Sequence, residues 1–322
     1  KFGVTPLIVA TSSANGSHTT LAAALADAVS GDTIFLRDSI TENVTLVAGV
    51  NITSWLGSEQ TPTVSITGKL SFASAGTVDI SCIRLTTNSD NFLAITGSAA
   101  SIVNLNNCYL NCTNATGISF TTSNTSALIT LKECDGNLGT TLIGLYSMSS
   151  TGTLNIQFST MSNTGASVTA SSNSEGLVQL SKSSMNIPFS TSSAGAINIF
   201  AGNSITTSAT NTECLIMAGT GTGRSELSLY DSGTASAISI GVGCTYTISS
   251  CEISSSNTNP ITGAGTINYG GLTFPGTSNI NTTTKNVSRE GPSRTIGSAN
   301  SGAANVLTVN NTSNTATSSA QV

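Results

Sequence analysis

The chain has 322 residues, of which only 8% are charged and 5% aromatic, and its formal net charge is −5. Ordinary domains carry about 25% charged residues, so Ser, Thr, Asn and Gly have taken the place of charge here. A hydrophobic fraction of 38% with so small a net charge excludes the composition of a disordered chain, and 10 basic against 15 acidic residues leave no cationic footprint for nucleic acid or anionic lipid.

In chain order, the first residues, KFGVTPLIVATSS, hold a short apolar patch. They lack an initiating Met and the apolar core and cleavage site of a secretory signal, which reads as a processed or expressed piece. No apolar run approaches the ~20 residues that span a bilayer, so no membrane insertion is expected. His18, the only histidine, stands before a stretch, 20–29, with apolar residues at helical spacing between a Thr start and a Ser-Gly stop. It is remote in sequence from any carboxylate cluster, so no catalytic role is expected of it. TIFLRDS and NVTLVAGVNITSW then change to the two-residue alternation of strands.

From residue 78 one pattern recurs: apolar–x–apolar, two residues, a small or apolar residue, one more, then another apolar residue. It reads VDISCIRL at 78–85, VNLNNCYL at 103–110, ITLKECDG at 129–136, LNIQFSTM at 154–161 and VQLSKSSM at 178–185. INIFAGNSI at 197–205 is a copy with one extra residue, and LSLYDSGT at 227–234 and YTISSCEI at 246–253 continue the series. The second apolar residue falls at Ile80, Leu105, Leu131, Ile156 and Leu180, steps of 25, 26, 25 and 24. Ile199, Leu229 and Ile248 follow at irregular steps of 19, 30 and 19. About a dozen residues after each motif comes a second alternating run: FLAIT at 92–96, GISFT at 117–121, LIGLY at 142–146 and CLIMA at 214–218.

Strands this short bury their inner faces only by stacking coil on coil. The expected fold is therefore all-β: a right-handed parallel β-helix, a solenoid of coils of about 25 residues, with a short N-terminal capping helix. Its segments are a cap over residues 1–45, the β-helix over 46–270, and a C-terminal extension or junction to a further segment over 271–322. The alignment puts Ile83, Cys108, Cys134, Ser159, Ser183, Ser232 and Cys251 in one interior column of small residues. The seven cysteines, at 82, 108, 112, 134, 214, 244 and 251, form no CxxC pair and no zinc spacing with His18. They read as buried free thiols, without metal or other cofactor, in a protein assembled in a reducing cytosol. The charge deficit has the same origin, because like charges on neighbouring coils would repel about 4.8 Å apart, while Ser, Thr and Asn form ladders.

The helix followed by SGDTI and a Glu-Asn-Val strand resembles the opening of the pectin-lyase-like right-handed β-helix superfamily, in which the helix caps the apolar end of the rod. The resemblance covers about 30 residues specifically and the coil pattern generically, so it speaks for fold and not chemistry. The C-terminal portion, with Pro275, Pro292, the charged residues Lys285, Arg289, Glu290 and Arg294, and the run VLTVNNTSNTATSSAQV, is similar to segments between domains of phage tail fibres and trimeric adhesins.

Lyases of this fold need clustered acidic calcium ligands and a basic proton acceptor, and hydrolases need two or three converging carboxylates. The 15 acids are scattered: Asp79 and Asp90 in the first coil, Glu133 and Asp135 beside Lys132 in the third, then single ones such as Asp231 and Glu252. GTGTGR at 219–224 has no helix pattern after it and reads as turn glycines. No catalytic residue is assigned. One outward column stands out: Arg84, Tyr109 and Asp135 fall at equivalent positions on three successive coils. A guanidinium, an aromatic ring and a carboxylate in line suit sugar hydroxyls and ring faces.

These observations lead to the expectation of a non-catalytic structural or receptor-binding fibre of tail-fibre or tailspike type, a homotrimer that binds host-surface polysaccharide, located on a virion or an extracellular surface. A polysaccharide depolymerase with acids drawn from several subunits and a secreted bacterial adhesin are the alternatives. An ice-binding β-helix is disfavoured because Thr–x–Thr does not recur at one constant position per coil.

Overall fold

The computed structural model describes residues 6–57, 62–87, 93–96, 100–111, 118–122, 126–137, 144–148, 152–162, 176–191, 194–200, 202–207, 211–272 and 280–287. The strands pair in parallel among these residues, each with its equivalent one coil away. This is a parallel β-helix with coils of about 25 residues. One coil runs through three walls: Gly76–Ser81 in the first, Arg84–Thr86 in the second and Leu93–Ile95 in the third. The next enters at Ser101–Asn106, directly above Gly76–Ser81. The second wall has ten strands among the described residues. The first and third walls join where the long strand Ile261–Gly270 pairs with Ile238–Ile240 by its first half and with Thr245–Ser249 by its second.

Alternation makes the core. Along the first wall Val78, Val103, Ile129, Leu154, Val178 and Ile197 stack inward, as do Ile80, Leu105, Leu131, Ile156, Leu180 and Ile199. Leu85, Leu110, Met161, Met185 and Ile205 line the second wall. Size is balanced between rungs. A Cβ on Gly223 would lie 2.8 Å from a ring carbon of Tyr246 on the next rung, and one on Gly136 would lie 2.7 Å from Met161 Sδ. The runs FLAIT, GISFT, LIGLY and CLIMA supply third-wall strands, although Phe92, Gly117, Leu142 and Ile143 lie outside the described residues.

The corner between the first and second walls recurs on eight successive rungs and explains the small-residue column. One residue takes positive φ: Cys82, Asn107, Glu133, Phe158, Lys182, Gly202, Leu227 and Ser250 in turn. The residue after it points inward. In three successive rungs its hydroxyl or carboxamide completes a ladder. Ser159 N–H donates to Ser183 Oγ at 3.1 Å, and Ser183 N–H donates to Asn203 Oδ1 at 3.0 Å. Ser183 Oγ donates to Ser181 O at 2.8 Å, and the thiols of Cys134 and Cys251 reach the equivalent carbonyls of Lys132 and Ser249 at 3.4 and 3.3 Å. Turning the chain here frees backbone groups from the strand ladders, and a short side chain with one donor and acceptor satisfies them inside the rod.

The column runs through Asn203 and Ser228, not Ser232, which is buried within the second-wall strand Leu229–Gly233. The first-wall strand of that coil is Thr222–Glu226, so the inner position passes from Ile199 to Ser225 to Ile248. The irregular copy at 197–205 does hold one extra residue, and residue 201 lies outside the described ones.

The helix is Leu21–Asp27, with Thr20 Oγ1 accepting from Ala23 N–H. Glu42 adds both carboxylate oxygens, accepting from Leu21 N–H at 2.9 Å and Ala22 N–H at 3.1 Å. Leu21, Ala24 and Leu25 pack into the same continuous core that runs to Ile267. Beyond Gly270 the strand Ile280–Val287 pairs in parallel with Ile261–Gly270. Cys112, Asp90, Pro275, Arg289, Glu290, Pro292, Arg294 and the run from Val306 lie outside the described residues.

Candidate functional site

The outward column is in register. Arg84 pairs with Tyr109 and Tyr109 with Asp135, and Ser65 precedes them, while Thr160, Ser184 and Ser204 follow. The three come together because each is the second residue after the positive-φ corner residue, the place where the chain enters the second wall. The Arg84 guanidinium lies over the Tyr109 ring, 4.6 Å from its centroid, and both residues are half-buried, while Asp135 is exposed. Arg84 Nε is buried without a hydrogen-bond partner among the described residues. With one ring face covered by the guanidinium, the column offers polar groups to a ligand rather than an open aromatic platform.

Glu133 and Asp135 both face outward, but they flank the bend: Glu133 is the corner residue with φ 55°, and buried Cys134 lies between them. Lys132 Nζ lies 3.8 Å from Glu133 in an exposed pair. The run 219–224 leads into the strand Thr222–Glu226, with Gly219 at φ 72° in the turn before it.

His18 is not remote from a carboxylate. Its Nε2 lies 2.9 Å from Asp27 Oδ2 and its Nδ1 lies 2.9 Å from Ser17 Oγ. These residue types resemble a nucleophile, base and acid, but the Ser17 hydroxyl also donates to Ile8 O and accepts from Ile8 N–H. That pair of hydrogen bonds to the main chain ties the entry turn to the first strand, and Asp27 ties it to the cap helix.

The interior holds acidic hydrogens that solvent does not reach. A hydrogen bond to Cys134, and then burial, push the Cys108 thiol up, and burial pushes Cys214 up to about 12. Burial likewise raises the phenols of Tyr230 and Tyr246, whose hydroxyls have no partner of good geometry among the described residues, although both face Ser225. Such thiols are poor nucleophiles, because the thiolate is the reactive form. Among the described residues no three His, Cys, Asp or Glu side chains gather as a metal site, and no helix is long and apolar enough to cross a membrane.

One feature escaped the sequence reasoning. The large apolar side chains left exposed include Trp55 at 49%, Phe158 at 50% and Leu227 at 60%. Phe158 and Leu227 are both positive-φ corner residues, at 49° and 46°. Lys182 lies over the Phe158 ring at 5.1 Å, and Arg224 over Phe200 at 4.9 Å. The signal was present in the motif: the position before the small-residue column reads Cys, Asn, Glu, Phe and Lys in turn, and a bulky residue there must adopt a left-handed backbone.

No protein-family model matches the chain, and no curated protein and no solved structure matches it.

Proposed function

We propose that the protein is a structural, receptor-binding rod of the tail-fibre or tailspike kind, which engages host-surface glycan through the second-wall column of Arg84, Tyr109 and Asp135. The observation that carries this reading is the stacking of Arg84 on Tyr109, one rung below Asp135, on a surface otherwise dominated by neutral hydroxyls and amides. A guanidinium and a carboxylate about two rungs apart bond vicinal hydroxyls from opposite ends, and the tyrosine between them supplies an edge for packing. Adjacent rungs lie about 4.8 Å apart, a spacing comparable to one sugar unit, so an extended glycan would meet equivalent positions on successive coils. The β-helix itself is equally compatible with a fibre, an adhesin or a depolymerase.

Binding of the full chain to host cells and to a glycan array tests the proposal. Tyr109→Ala is expected to lower glycan binding on the order of tenfold while leaving the melting temperature within a few degrees, because Tyr109 points away from the core. Unchanged binding would remove the column from the account. Release of reducing ends from a bound polysaccharide would replace the binding role with depolymerase activity.

A further inference from the structure

The corner ridge between the first and second walls carries a charge pattern that is antisymmetric about Phe158. On that ridge Glu133, Phe158 and Lys182 occupy three successive rungs, since Glu133 N–H donates to Gln157 O and Phe158 N–H to Ser181 O. Phe158 is thus flanked by an acid one rung below and a base one rung above. The pattern repeats three rungs out on the neighbouring column of the first wall, which reads Asp79, Asn104, Thr130, Asn155, Gln179, Asn198 and Arg224.

Phe158 lies outside the core, its ring against the Lys182 ammonium of the next rung. A bulky residue at positive φ is an outlier that Gly or Asn would relieve, and half of this side chain is exposed. Strain combined with exposed apolar surface points to recognition rather than stability.

We propose that this ridge, with the adjoining columns of the first wall, is the contact surface for a second copy of the chain, docked antiparallel about a two-fold axis through Phe158. A two-fold contact is self-complementary: a residue at a given height above the axis meets the residue at the same depth below it. Phe158 then meets Phe158 of the second copy. Glu133 meets Lys182 on both sides of the axis, Asp79 meets Arg224, and Cys82 meets Leu227. Asn107 meets Gly202, which has no side chain to obstruct it. The remaining charges, Lys132 and Glu226, meet Ser181 and Ser81. No like charges are opposed on these columns from the rung of Asp79 to that of Arg224. A parallel arrangement, including a three-fold one through this ridge, would instead set Glu133 beside Glu133 and Lys182 beside Lys182. The second wall turns away from the contact, so the column of Arg84, Tyr109 and Asp135 stays open.

Sedimentation equilibrium of the full chain tests this. The wild type is expected to dimerise. Phe158→Asn, which suits the left-handed backbone, is expected to weaken dimerisation on the order of tenfold or more while the melting temperature holds or rises. Lys182→Glu is expected to weaken it as well, and the double variant E133K/K182E to restore it, because the swapped charges face each other again. A wild type that stays monomeric or forms only trimers would overturn the proposal. So would a dimer indifferent to Phe158→Asn, or a charge swap no better than Lys182→Glu alone. Tyr109→Ala should leave self-association unchanged whatever it does to glycan binding, so the two proposals fail separately.

Discussion

At the corner column, serine, cysteine and asparagine interchange because each supplies a short side chain that bonds main-chain groups released by the bend. Ser183 shows the arrangement most fully: it accepts from Ser159 N–H and donates to Ser181 O. Ser183→Ala leaves Ser159 N–H buried without that acceptor, and a loss of ~1–3 kcal/mol in stability is expected from such an unsatisfied group. Ser183→Cys, the residue found at this place in the coils of Cys108, Cys134 and Cys251, should lose less. Urea denaturation of the two variants distinguishes a hydrogen-bonding role from mere smallness, since in the latter case alanine would be the better tolerated. Cys108, Cys134 and Cys251 therefore belong to this structural set.

Among the elements, the cap helix is the one whose stability depends most on a distant residue. It has seven residues, too few to persist alone, and Glu42 from the first coil closes its leading N–H groups with both oxygens. Glu42→Ala is expected to lower stability by ~1–3 kcal/mol. Amide hydrogen exchange should show the cap residues Leu21–Asp27 losing protection before the coils do; protection lost uniformly along the rod would contradict this.

The elements also show what could be read from sequence. Coils from Val78 to Met185 were legible because branched and aliphatic residues occupy both inner positions of each first-wall strand. The helix was legible from its Thr start. The coil at 222–233 was not, because Gly223 and Ser225 replace the expected apolar residues, while Tyr246 from the next rung fills the space above Gly223. The apolar pair Leu227 and Leu229 mimics the motif there, but it marks the corner and the start of the second wall. For the candidate site, the register of Arg84, Tyr109 and Asp135 follows from coil length alone. The covering of the Tyr109 ring by Arg84, the pairing of His18 with Asp27 and the apolar ridge do not, since they depend on side-chain direction and backbone hand at the corner.

Over the whole molecule, stability is tied to protons held in the core. Cys214 is raised from 9.0 to about 12, and the phenols of Tyr230 and Tyr246 are raised with it. A folded state that keeps protons the unfolded chain releases is stabilised fully below the unfolded value and loses that stabilisation as pH rises toward the folded one. The melting temperature is therefore expected to hold from neutral pH to 9.0 and to fall progressively between there and about 12, the window set by Cys214. Melts that stay flat across that window would show that these groups are not held in a dry core.

The central claim is that successive coils stack in register and so bring Arg84, Tyr109 and Asp135 into one line. The most direct test is the spacing along that line, measured by double electron–electron resonance between spin labels on unnatural residues that spare the cysteines, diluted with unlabelled chain. Labels at Ser65 and Thr160 are four rungs apart and should be separated by about 19 Å, and labels at Ser65 and Glu252, eight rungs apart, by about 38 Å. Distances that double in this way are the predicted result; a separation that fails to grow with the number of coils would contradict the stacked rod and the column built on it.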